Sequence, residues 1–276
     1  MEISKLLKEN NFEFAKKFGQ NFITDSNLLN AIVNDCNLTD KDEVLEIGTG
    51  AGTLTKAMSE KAKKVISFEI DTRLKNILKE TLKDATNVEV VFADVMQVPI
   101  SEIDAKFENN YTMIANLPYY ITTPIIFKFL ESKKLKSLNI MVQKEVAERI
   151  VAKKGKDYGI LSIMIDFCGD AKITRIVNRN LFNPVPNVDS AIVNINLRQK
   201  YDCNSELFSY LVHKSFAMRR KTLYNNLKHA NILSDDNLKE LLSKYKENIR
   251  AENLSTQDFV NLTKLLEELK GVKNDK

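Results

Sequence analysis

Short apolar runs alternate with stretches of helical period along the first 145 residues. Runs at 43–47, 65–70, 88–93, 111–115 and 138–142 read as buried strands. Between them the spacing predicts helices after Gly52 to about Ala62, from Thr72 to about Leu82, and from Thr122, Thr123 and Pro124 onward. Strand, helix and strand in alternation imply an α/β fold, a mostly parallel sheet with helices on both faces. Residues 144–154 read as helical, 160–167 are apolar throughout and fit helix or strand, and 191–197 alternate like a half-buried strand. The late strands lie close in sequence, so an antiparallel hairpin is expected at one sheet edge. Near residues 199–204 the pattern changes to helical periods alone, around 206–219, 221–230, 235–246 and 255–270. The expected domains are therefore 1–200, including an N-terminal arm over 1–25, and an all-helical 201–276. In the arm, Phe18 and Phe22 are expected to anchor in the core. Asp25 or Ser26 can cap a helix whose inner face carries Leu28, Leu29, Ile32 and Val33.

Composition narrows the class. The 276 residues are 43% hydrophobic and 28% charged, ordinary for a globular protein, and no run approaches a membrane span. The polar start is not a signal peptide, and three isolated cysteines without C-x-x-C spacing fit the reducing cytoplasm. With two histidines, and no metal-ligand spacing, the chemistry is expected to need neither a metal nor a histidine base. The net charge of +4 is mild, but Lys214, Arg219, Arg220, Lys221 and Lys228 fall in 212–229 without an acid. Arg149, Lys153, Lys154 and Lys156 form a second basic cluster, and Lys16 with Lys17 a third. Three such clusters point to a polyanionic partner.

The strand at 43–47 runs into Gly48-Thr49-Gly50-Ala51-Gly52, a turn whose backbone can approach a ligand closely. The next strand, 65–70, carries Glu69, 21 residues after Gly48, where an acid in a βαβ unit meets ribose hydroxyls. The pattern is G-x-G-x-G, with Thr53 in the sixth place of a pyrophosphate fingerprint. That favours a ligand with adenosine but no phosphates, such as S-adenosylmethionine. Asp94 follows the third strand, where a carboxylate can accept from an adenine amino group. The fourth strand delivers Asn116-Leu117-Pro118-Tyr119. There an amide oxygen, a carbonyl held extended by Pro118 and a flat ring could together hold an exocyclic amine in its base plane. Gln20 and Asn21 would reach the same ligand if the arm folds over it.

With those residues in view, the chain resembles the ribosomal RNA adenine N6,N6-dimethyltransferase family over nearly its whole length. The resemblance lies in KKFGQNF (16–22), VLEIGTGAGTLT (44–55), FEID (68–71), Ala93-Asp94, NLPYYITTPI (116–125), FNPVPNVDSA (182–191) and RRKTLYNNL (219–227). It implies a Rossmann-like S-adenosylmethionine-dependent methyltransferase sheet with a small all-helical C-terminal domain. It implies dimethylation of two adjacent adenosines near the 3′ end of small-subunit rRNA, with S-adenosylhomocysteine as by-product. The substrate would be the rRNA within the immature small subunit, and the enzyme a cytoplasmic monomer without membrane or metal. Implied cofactor contacts are Asn21, Ile23, Gly48, Glu69, Asp94 and Asn116, with isoleucine at 23 where the family often has leucine. Implied catalytic residues are Asn116, Leu117, Pro118, Tyr119 and Phe182, the two rings stacking on the target base. Implied rRNA contacts are Lys16, Lys17, Arg219, Arg220 and Lys221. Three rivals stand beside this: the erythromycin-resistance methylase acting on large-subunit rRNA, a non-catalytic nucleic-acid-binding protein of the same fold, and a nicotinamide dehydrogenase. The glycine spacing and the lack of a hydride site disfavour the last.

Overall fold

A computed structural model describes residues 3–10, 12–15, 19–23 and 25–271. Its strands are β1 (Phe22–Ile23), β2 (Glu43–Ile47), β3 (Lys64–Glu69), β4 (Val88–Phe92), β5 (Tyr111–Asn116), β6 (Leu135–Gln143), β7 (Gly169–Val177), β8 (Phe182–Asn183) and β9 (Ser190–Leu197). Seven of them pair in the order β4-β3-β2-β5-β6-β9-β7. The first five run parallel, as expected, and β9 lies antiparallel on β6, a pair that β7 and β8 separate in the chain and that is therefore no hairpin. Burial explains the sequence signal: β2 is buried at every position and β5 at all but its last, as strands covered on both faces require.

The strand order reverses between β2 and β5, since β3 and β4 lie to one side of β2 while β6 lies beyond β5. Such a reversal opens a crevice at the carboxyl ends of the two strands. Gly48 follows β2 there, Asn116 ends β5, Glu69 ends β3, and Asp94 stands two residues after β4.

The chain divides into two compact units, one of 1–147 and 172–197, the other of 148–171 and 198–276. The sequence boundary at 200 thus misses an excursion. Residues 160–167, ambiguous from periodicity, form the helix Ile160–Cys168, and Tyr158 and Ile163 join the helical unit's core. That core also holds Phe208, Leu211, Leu223, Leu227, Leu238, Phe259 and Leu266, from the helices Ser205–Ser215, Leu223–His229, Asp235–Leu241 and Thr256–Gly271. No helix among the described residues is long and apolar enough to cross a membrane.

In the first unit, the helix Ser26–Asp35 is capped by Asp25, whose carboxylate accepts from Leu28 N at 2.7 Å, and it buries Leu28, Leu29, Ile32 and Val33. The arm is held in a cluster containing Leu6, Leu7, Phe22, Leu74, Ile77 and Leu78, with Phe12 and Phe14 packed against it. β1 pairs antiparallel with β8, Ile23 opposite Phe182, so the arm is stitched to the loop at 182–190.

Candidate active site at the strand ends

The crevice is a cleft at the strand ends, open to solvent on one side. Its walls include Gly19, Gln20 and Asn21 of the arm, Gly48 and Gly50 of the turn, Glu69, Asp94, and Asn116 through Ile121. The turn at 48–52 uses glycine for two separate reasons. Gly48 adopts φ +82°, and a Cβ there would stand 3.7 Å from the Asn116 carbonyl, across the crevice floor. Gly50 adopts φ +55°, and a Cβ would meet the Phe22 ring at 3.1 Å, pushing the arm away.

Glu69 is almost fully buried, and each of its oxygens accepts a backbone N–H. Gly50 N donates to Oε2 and Asp71 N to Oε1, both at 2.8 Å. Burial pushes its carboxyl above the usual carboxylate range, against those two hydrogen bonds. The remaining lone pairs can receive hydroxyls from a ligand in the cleft. Asp94 uses Oδ1 to accept from Met96 N at 2.9 Å. The described lining contains these two carboxylates and no lysine or arginine, acceptors that suit an adenosine's hydroxyls and amino group and repel phosphates.

Asn116 donates from Nδ2 to the Asn21 carbonyl at 2.9 Å. That bond spends the amide nitrogen on the arm and turns Oδ1 into the available acceptor. Leu117 is buried, its N–H bound to the Met141 carbonyl of β6 at 3.1 Å, so the backbone before Pro118 is anchored. The two tyrosines that follow diverge. The Tyr119 hydroxyl meets Ser190 Oγ at 2.6 Å, and burial raises that phenol above its ordinary value. Tyr120 is 59% exposed, and its ring would sit 3.3 Å from a Cβ on Gly19. A second cleft shares Gly19, Gln20, Asn21 and Tyr119 with the first, and is closed by Phe14, Gln143 and Pro184 through Asn187. Two clefts therefore meet across one wall, with Tyr119 in both.

Beneath the turn lies an acid that sequence reading passed over. Glu46 is buried, and its Oε2 accepts from Thr55 Oγ1 and from Ser67 Oγ, each at 2.6 Å. Ser67 also meets Thr49 Oγ1 at 2.6 Å, so the network reaches the glycine turn. Burial pushes the Glu46 carboxyl up to about 8 from 4.5, with the two hydroxyls opposing and Glu69 adding to the rise. The fold favours the protonated acid. Its contribution to stability is thus full below about 4.5 and is lost as the pH rises through about 8. Glu46→Gln keeps a neutral acceptor for both hydroxyls and should flatten this loss. Between pH 5 and 8 the wild type should lose a few kcal/mol relative to the variant, read from denaturant unfolding. Parallel pH profiles would count against a protonated Glu46.

Of the residues singled out in the sequence, Asn21, Gly48, Glu69, Asp94, Asn116, Leu117, Pro118 and Tyr119 are brought together in the cleft. Two are not. Ile23 lines neither cleft: its side chain is buried and its carbonyl accepts from Thr53 Oγ1 at 3.4 Å. Phe182 is 3% exposed and belongs to the core cluster with Ile23, Leu28, Ile114 and Met141. In this structure its ring packs into that core, while its backbone pairs with β1. Lys16, Lys17 and Phe18 lie outside the described residues. Arg219, Arg220 and Lys221 form an exposed turn in the helical unit, between Ser215 and the Thr222 cap, not a helix face. No cluster of metal-ligating side chains occurs among the described residues. Sequence reading also missed Asp71 and Ser190, although each stands inside a motif it used, FEID and FNPVPNVDSA.

Known proteins resemble this chain over nearly all of its length. A model of the family described as "Ribosomal RNA adenine dimethylase" matches residues 11–268. A Clostridioides difficile (strain 630) protein named "Ribosomal RNA small subunit methyltransferase A" is 42% identical over 271 residues, covering 95% of this chain and 94% of its own. Among solved structures, a dimethyladenosine transferase from Plasmodium falciparum aligns with a TM-score of 0.74 at 28% identity, over 89% of this chain and 97% of its own. The 23S rRNA methyltransferase ErmE aligns with a TM-score of 0.68 at 25% identity, over 90% of this chain and all of its own.

Proposed function

The chain belongs to the ribosomal RNA adenine dimethylase family, and from that premise we propose that it uses S-adenosylmethionine to dimethylate N6 of two adjacent adenosines near the 3′ end of small-subunit rRNA. The substrate is the rRNA of an immature small subunit, met by a cytoplasmic monomer. The observation that carries this reading is the Asn116 amide, pinned through its nitrogen to the Asn21 carbonyl at 2.9 Å. It leaves an oxygen, not an NH₂, to meet an amine.

When bound, the cofactor supplies a methyl group already activated on a sulfonium. Everything else falls to the chain. Glu69 accepts the ribose hydroxyls and Asp94 the adenine amino group, while Gly48 lets the backbone come close and Asn21 walls the cleft. Adenine N6 is a poor nucleophile because its lone pair is delocalised into the ring. Asn116 Oδ1 and the Leu117 carbonyl accept its two hydrogens in the first transfer, and one of them accepts the hydrogen that remains in the second, which draws the nitrogen towards a tetrahedral shape and frees the lone pair. After each transfer the cationic nitrogen loses a proton to water. Both acceptors are neutral, and they stabilise the positive charge that develops on the nitrogen. No histidine or lysine lines the described cleft, and none is needed when alignment carries the rate. Tyr119 supplies the stacking face in the second cleft, without Phe182, and offsets part of the cost of unstacking the target. Arg219, Arg220 and Lys221, with Lys16 and Lys17, contact rRNA phosphates.

The test is methyl transfer from labelled S-adenosylmethionine to small subunits isolated from cells lacking this gene, with free large-subunit rRNA alongside. Label recovered as dimethyladenosine in small-subunit rRNA is the expected result. Label in large-subunit RNA alone, or in neither with cofactor still bound, would overturn the assignment.

A further inference from the structure

The arm residues 12–15 and 19–23 contain only the two residues of β1 as regular structure, so their position rests on side-chain ties. One tie lies between the two clefts. Gln20 accepts from Ala15 N through Oε1 at 2.8 Å and donates from Nε2 to Asp71 Oδ2 at 2.8 Å. Asp71 is 2% exposed and is a hub. Arg73 donates to it from Nε at 2.9 Å, from NH2 at 2.6 Å and from its backbone N at 3.1 Å. Arg73 in turn reaches the Glu13 carbonyl at 3.3 Å and stands 5.2 Å from the centre of the Phe12 ring. Burial pushes the Asp71 carboxyl up, but hydrogen bonds from Arg73 and Gln20 outweigh it and hold the group below the usual range. The Asp71 backbone N–H is itself one of the two donors that orient Glu69.

We propose that Gln20 is a positioning residue: through Asp71 it locks the wall shared by the two clefts to the carboxylate that receives the cofactor's ribose. The inference rests on the proposed function for that ribose. The physical content is entropic. A wall without regular structure is ordered in advance by this tie, so ligands on either side do not have to order it on binding. Without the tie, the ligand-competent arm is one of several arrangements, and apparent affinity falls by the fraction in which it is populated.

The experiment measures S-adenosylhomocysteine affinity by calorimetry, and kcat with KM on small subunits, for four full-length proteins: the wild type, two single variants and one double variant. Gln20→Ala should weaken the ligand about tenfold and raise the RNA KM, with kcat changed less than about threefold. Asp71→Asn puts an NH₂ where Oδ2 now accepts from both Gln20 and Arg73, and should weaken the ligand at least as much. If Gln20 acts through Asp71, the two losses should not add: with Asp71→Asn already present, Gln20→Ala should cost less than about threefold more. That non-additivity separates a specific tie from general destabilisation, whose losses would multiply. Gln20→Ala with wild-type affinity, or a double variant weakened by the product of the two single losses, would overturn the proposal. A wild-type protein that bound no S-adenosylhomocysteine would instead overturn the functional reading beneath it, and this inference with it.

Discussion

Replacing Asn116 with alanine is expected to lower single-turnover methyl transfer by about 10²–10³-fold, the usual loss when one preorganised group facing developing charge is removed. Binding of S-adenosylhomocysteine and of rRNA should change far less. The amide has two jobs that alanine removes together: its nitrogen holds the Asn21 carbonyl and its oxygen meets the amine. Asn116→Asp separates them. Aspartate keeps an acceptor for the amine but cannot donate to Asn21, and its carboxylate would face that carbonyl. If the oxygen carries the chemistry, Asn116→Asp should retain more rate than Asn116→Ala while binding the cofactor less well. An Asn116→Ala enzyme with near-normal turnover in single-turnover assays would sink the mechanism.

The second large effect concerns Glu69. Glu69→Ala should weaken S-adenosylhomocysteine about 100-fold, some 3 kcal/mol, the scale of losing hydrogen bonds to a charged acceptor. Glutamine should not rescue it. Both carboxylate oxygens already accept backbone N–H groups, from Gly50 and Asp71, so an NH₂ in either place would set donor against buried donor. The pH dependence has a definite sign. Burial raises the Glu69 carboxyl, and the ionised form is the one that accepts ribose hydroxyls, so affinity should fall as the pH falls. The decline should begin above the pH at which an ordinary glutamate titrates. Calorimetric titrations between pH 5 and 8 check this, and affinity that holds constant or rises towards acid would rule it out.

Much of this site is legible in the sequence because a parallel sheet writes its ligands in a fixed place. β2, β3 and β5 are mostly apolar and buried, and the residue that ends or follows each stands at the crevice: Gly48, Glu69 and Asn116. What escaped was set by distant partners. β7 occupies a sheet edge, where Lys172 and Arg175 are tolerated, so its charged alternation did not read as a strand. Phe182 precedes two prolines and suggests a ring offered to a base. In the structure its ring packs into the core beside Ile23, a partner far earlier in the chain that no local pattern predicts. Residues 148–171 read as part of the first domain because their core partners, such as Phe208 and Phe259, come much later in the chain. The tie between Gln20 and Asp71 spans 51 residues and involves two polar side chains of common type. No local pattern marks such a pair.

The strand-end placement of Glu69 and Asn116 also bears on how such proteins diversify. Both are the last residues of buried, hydrogen-bonded strands, so neither can shift without disturbing the sheet. The second cleft, by contrast, is finished by the loop at 184–187, and the basic turn at 219–221 belongs to a separately packed helical unit. On the function proposed above, reaction and address are written in different parts of the chain. Loops and surface helices tolerate change that a sheet interior does not. Kinship in fold with a methyltransferase whose name specifies 23S rRNA is what such a division permits. One chemistry can be inherited intact while its destination on the ribosome is rewritten.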